Sequence, residues 1–331
     1  MLKCLFLGMG YKTEIRKVTV IGAGNMGAAI AEVMAFNGYH VYLKDQTESL
    51  ISAGLKRIEG FAGGLAKFEE SRGAKEIQRI EKNGIKLTED QKAAFMKNNA
   101  PTFTSKHIQD LLKRVKPVLD YSEIGDSDLV IEAVFENLKV KRGVFTEVSK
   151  VVPSESIIAS NTSSISITSI TSGMEHPERM LITHFFNPPY TLPLVEIVPS
   201  IHTDPAVAEG TKQFISRLRN HRGPMVPILV KEVPGFVVNR MLVPMINEGI
   251  FLLDEGVASP EDIDLAMKKG AGMPMGPLEL ADMVGLDVTL DVCNLFYQQF
   301  GDPKYRPSVL LKKMVDAGFL GRKSGRGFYT Y

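Results

Sequence analysis

Apolar positions along the chain change period several times, and each change marks an element. At 17–21 the run KVTVI is short, β-branched and followed by glycines, the pattern of a buried strand. Residues 25–38 carry helix-forming Ala, Met and Glu and stop at Gly38, and the apolar stretch 39–43 reads as a second strand ending at Asp45. Strand, helix and strand close within 29 residues, 17–45, near the length of one right-handed crossover unit of a parallel sheet. Residues 48–116 are different. They are rich in Lys, Arg and Glu, with helical stretches punctuated by Gly63-Gly64, Gly73, Gly84 and Pro101, which predicts a protruding helical arm with a solvated charged face.

The parallel pattern resumes with a strand at 128–134 (DLVIEAV), a helix at 138–150 and a strand at 156–160; strands at 180–186 and 194–198 finish the sheet. After Asp204 strand signals nearly stop. Asp204-Pro205 and Ser259-Pro260 read as helix N-caps with proline in the first turn, and Gly270, Gly301 and Gly318 as helix stops, leaving 226–231 as one candidate strand. The expected fold is α/β: a Rossmann-type doubly wound sheet over 17–203, with a helical arm at about 48–116, and a second, mainly helical domain over 204–331. Residues 1–16 read as a loosely packed extension, with an organellar targeting peptide as the alternative.

Composition narrows the function classes. A chain of 331 residues with 44% hydrophobic content can bury a large core and suits two domains. Thirty-nine basic against 38 acidic residues leave a net charge of +1, so no overall field recruits nucleic acid or an anionic membrane, and a small-molecule partner is expected. Cys4 and Cys293 lie at opposite ends of the chain, which suggests neither a disulfide framework nor a metal site and fits a reducing compartment; the expected location is the cytoplasm, with the mitochondrial matrix as the less favoured alternative. No apolar run approaches the roughly 20 residues of a membrane-spanning helix.

Chemistry concentrates at a few places. Gly22-Ala-Gly24-Asn25-Met26-Gly27 follows a strand and opens a helix, so the backbone can approach a pyrophosphate at the helix N-terminus. Asp45 ends the next strand 21 residues after Gly24, where a carboxylate bonds an adenosine 2′-hydroxyl and repels a 2′-phosphate, which favours NAD over NADP. The alternative is a tight turn with Asp45 as an ordinary helix cap; Gly8-Met-Gly10 has no comparable unit after it and is a decoy. His184 ends an apolar strand, the chain reverses through Asn187-Pro188-Pro189-Tyr190, and folding about Tyr190 sets 184 opposite Glu196. A carboxylate there holds one ring nitrogen protonated, leaves the other as a base and stabilises the imidazolium, which suits alcohol oxidation. By itself, His184 reads equally well as a hydrogen-bonded core histidine. Ser160-Asn-Thr-Ser163-Ser164 lies at the carboxyl edge of the sheet, as a substrate contact or a polar turn. Pro234-Gly-Phe-Val-Val-Asn239-Arg240 starts a long helix that Pro244 should kink, and Asn239 there faces a ligand or a neighbouring backbone.

These segments together resemble the L-3-hydroxyacyl-coenzyme A dehydrogenase family over 17–331. The resemblance rests on IGAGNMG at 21–27, IEAVFENLKVK at 131–141, SNTSS at 160–164, HFFNP at 184–188, LVEIV at 194–198, VPGFVVNR at 233–240, MGPLEL at 275–280 and GRKSGRGFYTY at 321–331. It implies NAD-dependent oxidation of a short (S)-3-hydroxyacyl-CoA thioester such as 3-hydroxybutyryl-CoA, in fatty acid or butanoate metabolism. His184 and Glu196 are then the catalytic pair, Ser163 and Asn239 touch the reacting end of the substrate, and Glu136 and Lys141 join Asp45 and the glycine loop around NAD. It further implies a homodimer formed through the helical domain, and domains that open and close. The rivals are a related hydroxy-acid dehydrogenase acting on a free sugar acid or hydroxyisobutyrate, and a dinucleotide-binding protein without catalysis; having both His184 and Glu196 argues against the second.

Overall fold

The computed structural model describes residues 14–331, and the chain divides into two compact units at Lys231/Glu232. The first unit opens with β1 (Lys17–Ile21), buried on both faces as its apolar run requires, then α1 (Asn25–Phe36) and β2 (His40–Lys44). Gly27, Ala28 and Ala31 on α1 are small and fully enclosed, which lets the helix lie close to the sheet. The arm follows as α2 (Glu48–Lys82), α3 (Glu89–Asn98) and α4 (Ser105–Lys113), and returns into β3 (Val115–Val118). Next come β4 (Leu129–Glu132), α5 (Leu138–Val151), β5 (Ile157–Ser160), α6 (Ile167–Thr171), β6 (Met180–Phe185), β7 (Leu194–Pro199) and α7 (Pro205–Ser216). A short hairpin, β8 (Arg219–Asn220) with β9 (Gly223–Pro224), leads to β10 (Val226–Leu229).

Among the described residues eight strands form one sheet in the order β10-β7-β6-β5-β4-β1-β2-β3. All neighbours are parallel except β6 and β7, which pair antiparallel. The stretch from β3 to β6 has the strand order of a dinucleotide-binding doubly wound sheet, and the loops at its carboxyl edge are where such sheets bind ligands. The core of this unit is Val18, Val20, Ile30, Met34, Leu43, Leu129, Ile131 and their neighbours.

The second unit is helical: α8 (Val238–Asp254), α9 (Pro260–Gly270), α10 (Pro277–Val284), α11 (Leu286–Phe300) and α12 (Val309–Asp316). Its own core joins Val243, Ile246, Ile250, Leu278, Phe296 and Leu311. Ser259 caps α9 through the Asp262 N–H, Pro260 takes the first turn, and Gly301 ends α11 in the left-handed region, all as the sequence predicts.

Four expectations change. The helix α2 runs unbroken for 35 residues through Gly63, Gly64 and Gly73. Each mid-helix glycine costs about 1 kcal/mol, whereas each buried side chain such as Ile51, Ile58 or Leu65 returns about 1.5–3 kcal/mol, so packing wins. The first half of α2 therefore lies against α1 rather than protruding. The expected domain limit at 203/204 moves to 231/232, because α7 packs on β7 and β10, and β10 extends the same sheet. β3, read as part of the arm, is an edge strand paired with β2. Finally, the end of the expected extension is anchored: Ile15 is buried, and the Arg16 and Lys17 N–H groups donate to Asp128 at 2.7 and 2.9 Å. Cys4 and the Gly8-Met-Gly10 decoy lie outside the described residues.

Candidate active site

At the carboxyl end of β1 the glycine loop is built by three different constraints. Gly22 sits at φ +104°, a conformation that side chains rarely adopt, and a Cβ there would lie 2.5 Å from the Ala133 carbonyl oxygen. A Cβ on Gly27 would lie 1.7 Å from the Gly22 carbonyl oxygen, so the third position of α1 admits only a glycine. Gly24, the N-cap of α1, is different: a Cβ there would meet nothing within 4 Å, and no side chain caps the helix. Gly24 and Asn25 are exposed and Met26 is half-buried. Asp45 closes the loop, its carboxylate accepting from the Ala23 N–H and the Gln46 N–H, both at 2.7 Å. An open cradle at an uncapped helix N-terminus, with a carboxylate beside it, fits the pyrophosphate and ribose of NAD.

Next along the edge, Glu132 ends β4 fully buried. Its Oε1 accepts from the Val134 N–H at 2.6 Å and from Lys141 Nζ at 2.8 Å, and its Oε2 from Ser160 Oγ at 2.6 Å. Lys141, only 1% exposed, also reaches Glu136 at 3.2 Å. Glu136 accepts in addition from the Thr162 hydroxyl, and from the Ser164 hydroxyl at 2.7 Å and its N–H at 3.2 Å. Burial works to raise the Glu136 carboxyl, but the Lys141 ammonium and the two hydroxyls outweigh it and hold the group below its ordinary value. Asn161 accepts from the Phe185 N–H at 2.9 Å, which fastens the 160–164 loop to the residue after His184.

At the end of β6, His184 pairs directly across from Glu196 on β7. Nδ1 lies 2.8 Å from Glu196 Oε2, with Glu196 fully buried and the His184 side chain 7% exposed. Because a carboxylate only accepts, the ring proton sits on Nδ1 and Nε2 carries the lone pair. Phe186 packs against the imidazole at 4.6 Å between ring centres.

The first unit thus brings together Gly22, Gly24, Asn25, Met26, Gly27, Asp45, Glu136, Lys141, Ser163, His184 and Glu196 along one edge of the sheet; Ser163 is half-buried in the loop after β5. Asn239 belongs to the second unit, half-buried in the first turn of α8. The sequence singles out the 160–164 loop as a substrate contact or polar turn, but not the bonds by which Thr162 and Ser164 hold Glu136 and Asn161 holds the Phe185 N–H, and it does not single out Glu132. For Glu132 a signal was present: a carboxylate at the end of the apolar run DLVIEAV has to find a buried cation. Among the described residues, no group of three or more His, Cys, Asp or Glu side chains is placed to hold a metal ion.

Comparison with known proteins agrees with this geometry. A family model described as 3-hydroxyacyl-CoA dehydrogenase, NAD binding domain, matches residues 17–95 and 74–233, and one described as 3-hydroxyacyl-CoA dehydrogenase, C-terminal domain, matches 235–331. A 3-hydroxybutyryl-CoA dehydrogenase of Bradyrhizobium diazoefficiens is 41% identical over 317 residues, covering 96% of this chain and 96% of its own. The mitochondrial hydroxyacyl-coenzyme A dehydrogenase of Homo sapiens is 38% identical over 322 residues, 97% of this chain and 92% of its own. A crystal structure of (S)-3-hydroxybutyryl-CoA dehydrogenase from Ralstonia eutropha matches with a TM-score of 0.77 and 39% identity, covering 96% of this chain and 99% of that one. Two family models laid end to end over a glycine loop and a buried histidine–glutamate pair lead to one conclusion: the chain belongs to the 3-hydroxyacyl-CoA dehydrogenase family.

Proposed function

We propose that this protein is an NAD-dependent dehydrogenase interconverting (S)-3-hydroxyacyl-CoA and 3-ketoacyl-CoA thioesters, with a short acyl chain of the 3-hydroxybutyryl class, in fatty acid or butanoate metabolism. The observation that carries the reading is the buried 2.8 Å contact from His184 Nδ1 to Glu196 on the same sheet edge as the glycine loop. His184 Nε2 takes the proton of the 3-hydroxyl, and Glu196 stabilises the imidazolium that results. NAD, when bound, supplies the acceptor for the hydride leaving C3. Asp45 and the open face at Gly24 hold the dinucleotide, with Glu136 and Lys141 beside it, and the Asp45 carboxylate disfavours a 2′-phosphate. Ser163 and Asn239 orient the substrate oxygens.

The protein works as a homodimer joined through the second unit, a reading that exposed Met241, Val257, Leu265 and Val309 support. The proposed location is the cytoplasm, in keeping with Cys293 as a buried free thiol. No helix among the described residues is long and apolar enough to cross a membrane.

The test is the absorbance of NADH with acetoacetyl-coenzyme A, beside free acetoacetate and NADPH. Loss of NADH with the thioester alone is expected, and His184→Ala should lower the rate by about 10²–10⁴ while leaving NADH binding in place. Turnover of the free acid but not the thioester, or near-normal turnover by His184→Ala, refutes the reading.

A further inference from the structure

Functional groups are set out along the sheet edge in strand order: Asp45 after β2, the glycine loop after β1, Glu132 at the end of β4, the 160–164 loop after β5, and His184 on β6. Neighbouring strands lie about 4.8 Å apart. A dinucleotide held at Asp45 and at the glycine loop therefore brings its reacting ring to His184 only by passing the ends of β4 and β5, some three spacings or about 14 Å from β1. Lys141, Glu132 and Glu136 stand at that stretch, tied to both strands through the Val134 N–H and the Ser160, Thr162 and Ser164 hydroxyls.

Two carboxylates face one ammonium, which leaves one negative charge unbalanced. Hydroxyl, N–H and ammonium donors surround both carboxylates, and the burial of Glu132 and Lys141 keeps water from screening the charge of the trio. The oxidised nicotinamide ring is a cation, whereas the reduced ring is neutral, so the same charge acts differently on the two cofactor forms.

We propose that the Glu132–Lys141–Glu136 trio sets the redox preference of the site, its one net negative charge strengthening binding of NAD relative to NADH. Glu132 is in this sense a positioning and charge-setting residue, acting beside the hydride path rather than on the substrate. Tighter binding of the oxidised form also biases the bound couple toward consuming NADH, hence toward reduction of the 3-keto group. The inference rests on the dehydrogenase reading above.

The experiment titrates NAD and NADH separately into the full-length protein and into Glu132→Gln, by calorimetry and NADH fluorescence, with circular dichroism reporting the fold. Glutamine keeps the size of the side chain and one accepting oxygen while removing the charge; its amide nitrogen donates to the Ser160 hydroxyl, which turns to accept. The ratio of the Kd for NAD to the Kd for NADH should rise about five- to tenfold in the variant. Glu136→Gln removes an equal charge from a side chain that is 40% exposed, and should move the ratio in the same direction. If Glu132→Gln does not fold, Glu136→Gln decides alone. Equal weakening of both cofactor forms, or no change in the ratio, makes the trio a structural bracket and overturns the inference. Wild-type protein that binds neither dinucleotide overturns the dehydrogenase reading instead.

Discussion

The three glycines of the phosphate loop look alike in the sequence, but the structure gives each a different reason and therefore a different expected phenotype. Gly27→Ala places a methyl 1.7 Å from a backbone oxygen that cannot rotate away, so a loss at the upper end of about 1–3 kcal/mol is expected in urea unfolding. Gly24→Ala meets nothing in the protein, so its unfolding midpoint should stay within about 0.5 kcal/mol of wild type. The same methyl enters the space in which the ligand lies, and NADH affinity should fall about tenfold; unchanged affinity would remove Gly24 from the cofactor site. The pairing of His184 with Glu196 was legible at this scale, since folding the chain back about Tyr190 sets 184 directly opposite 196. The bond from Glu132 to Lys141 was not legible, because nine residues and a turn of chain separate two groups that only the start of α5 brings together.

Among elements, the arm shows how burial overrides local preference. Gly63-Gly64 is a strong breaker pattern, yet Ile58, Ala62, Leu65 and Ala66 bury one face of α2 across it. Gly64 itself is exposed and a Cβ would meet nothing. Gly64→Ala should accordingly stabilise the protein by about 0.5–1 kcal/mol, read as a higher urea midpoint with an unchanged slope. Destabilisation would mean that α2 is bent or opened there in solution. Gly54 gives the contrast: its Cβ would fall 2.7 Å from Ala23 Cβ, so this glycine lets α2 press on the phosphate loop. Helix starts were readable because their caps are local chemistry, a side-chain oxygen meeting an N–H two or three residues on. β3 was missed for the opposite reason. VKPV is short and carries a lysine and a proline, which only a sheet edge accommodates, and edge position is not a local property.

At the scale of the whole molecule, two units with separate cores place different demands on buried charge. In the second unit Asp264 is buried and accepts from the Leu278 and Glu279 N–H groups at 2.8 and 2.9 Å and from the Tyr329 hydroxyl at 2.7 Å. It caps α10 from a distance in sequence and holds the terminal strand of chain. Burial, together with that hydrogen bond, pushes the Tyr329 phenol above its ordinary value. Asp264→Asn turns an amide N–H toward a backbone N–H, and about 1–3 kcal/mol of stability should be lost. Hydrogen exchange should then speed up over α10 and residues 328–331 while β1 and β4 stay protected; unaltered exchange in α10 would deny Asp264 this role. Taken by itself, the sequence determined what depends on period, spacing and short-range chemistry: a parallel sheet with a glycine loop, the acid that follows it, a histidine opposed to a glutamate, and a helical second half. Tertiary structure alone decided that β10 and α7 belong to the first unit, that α2 stays whole, and that Glu132, Lys141 and Glu136 meet at the floor of the site. Hydrophobic burial and charge pairing act between residues distant in the chain, so their balance exists only once the sheet has brought those residues together.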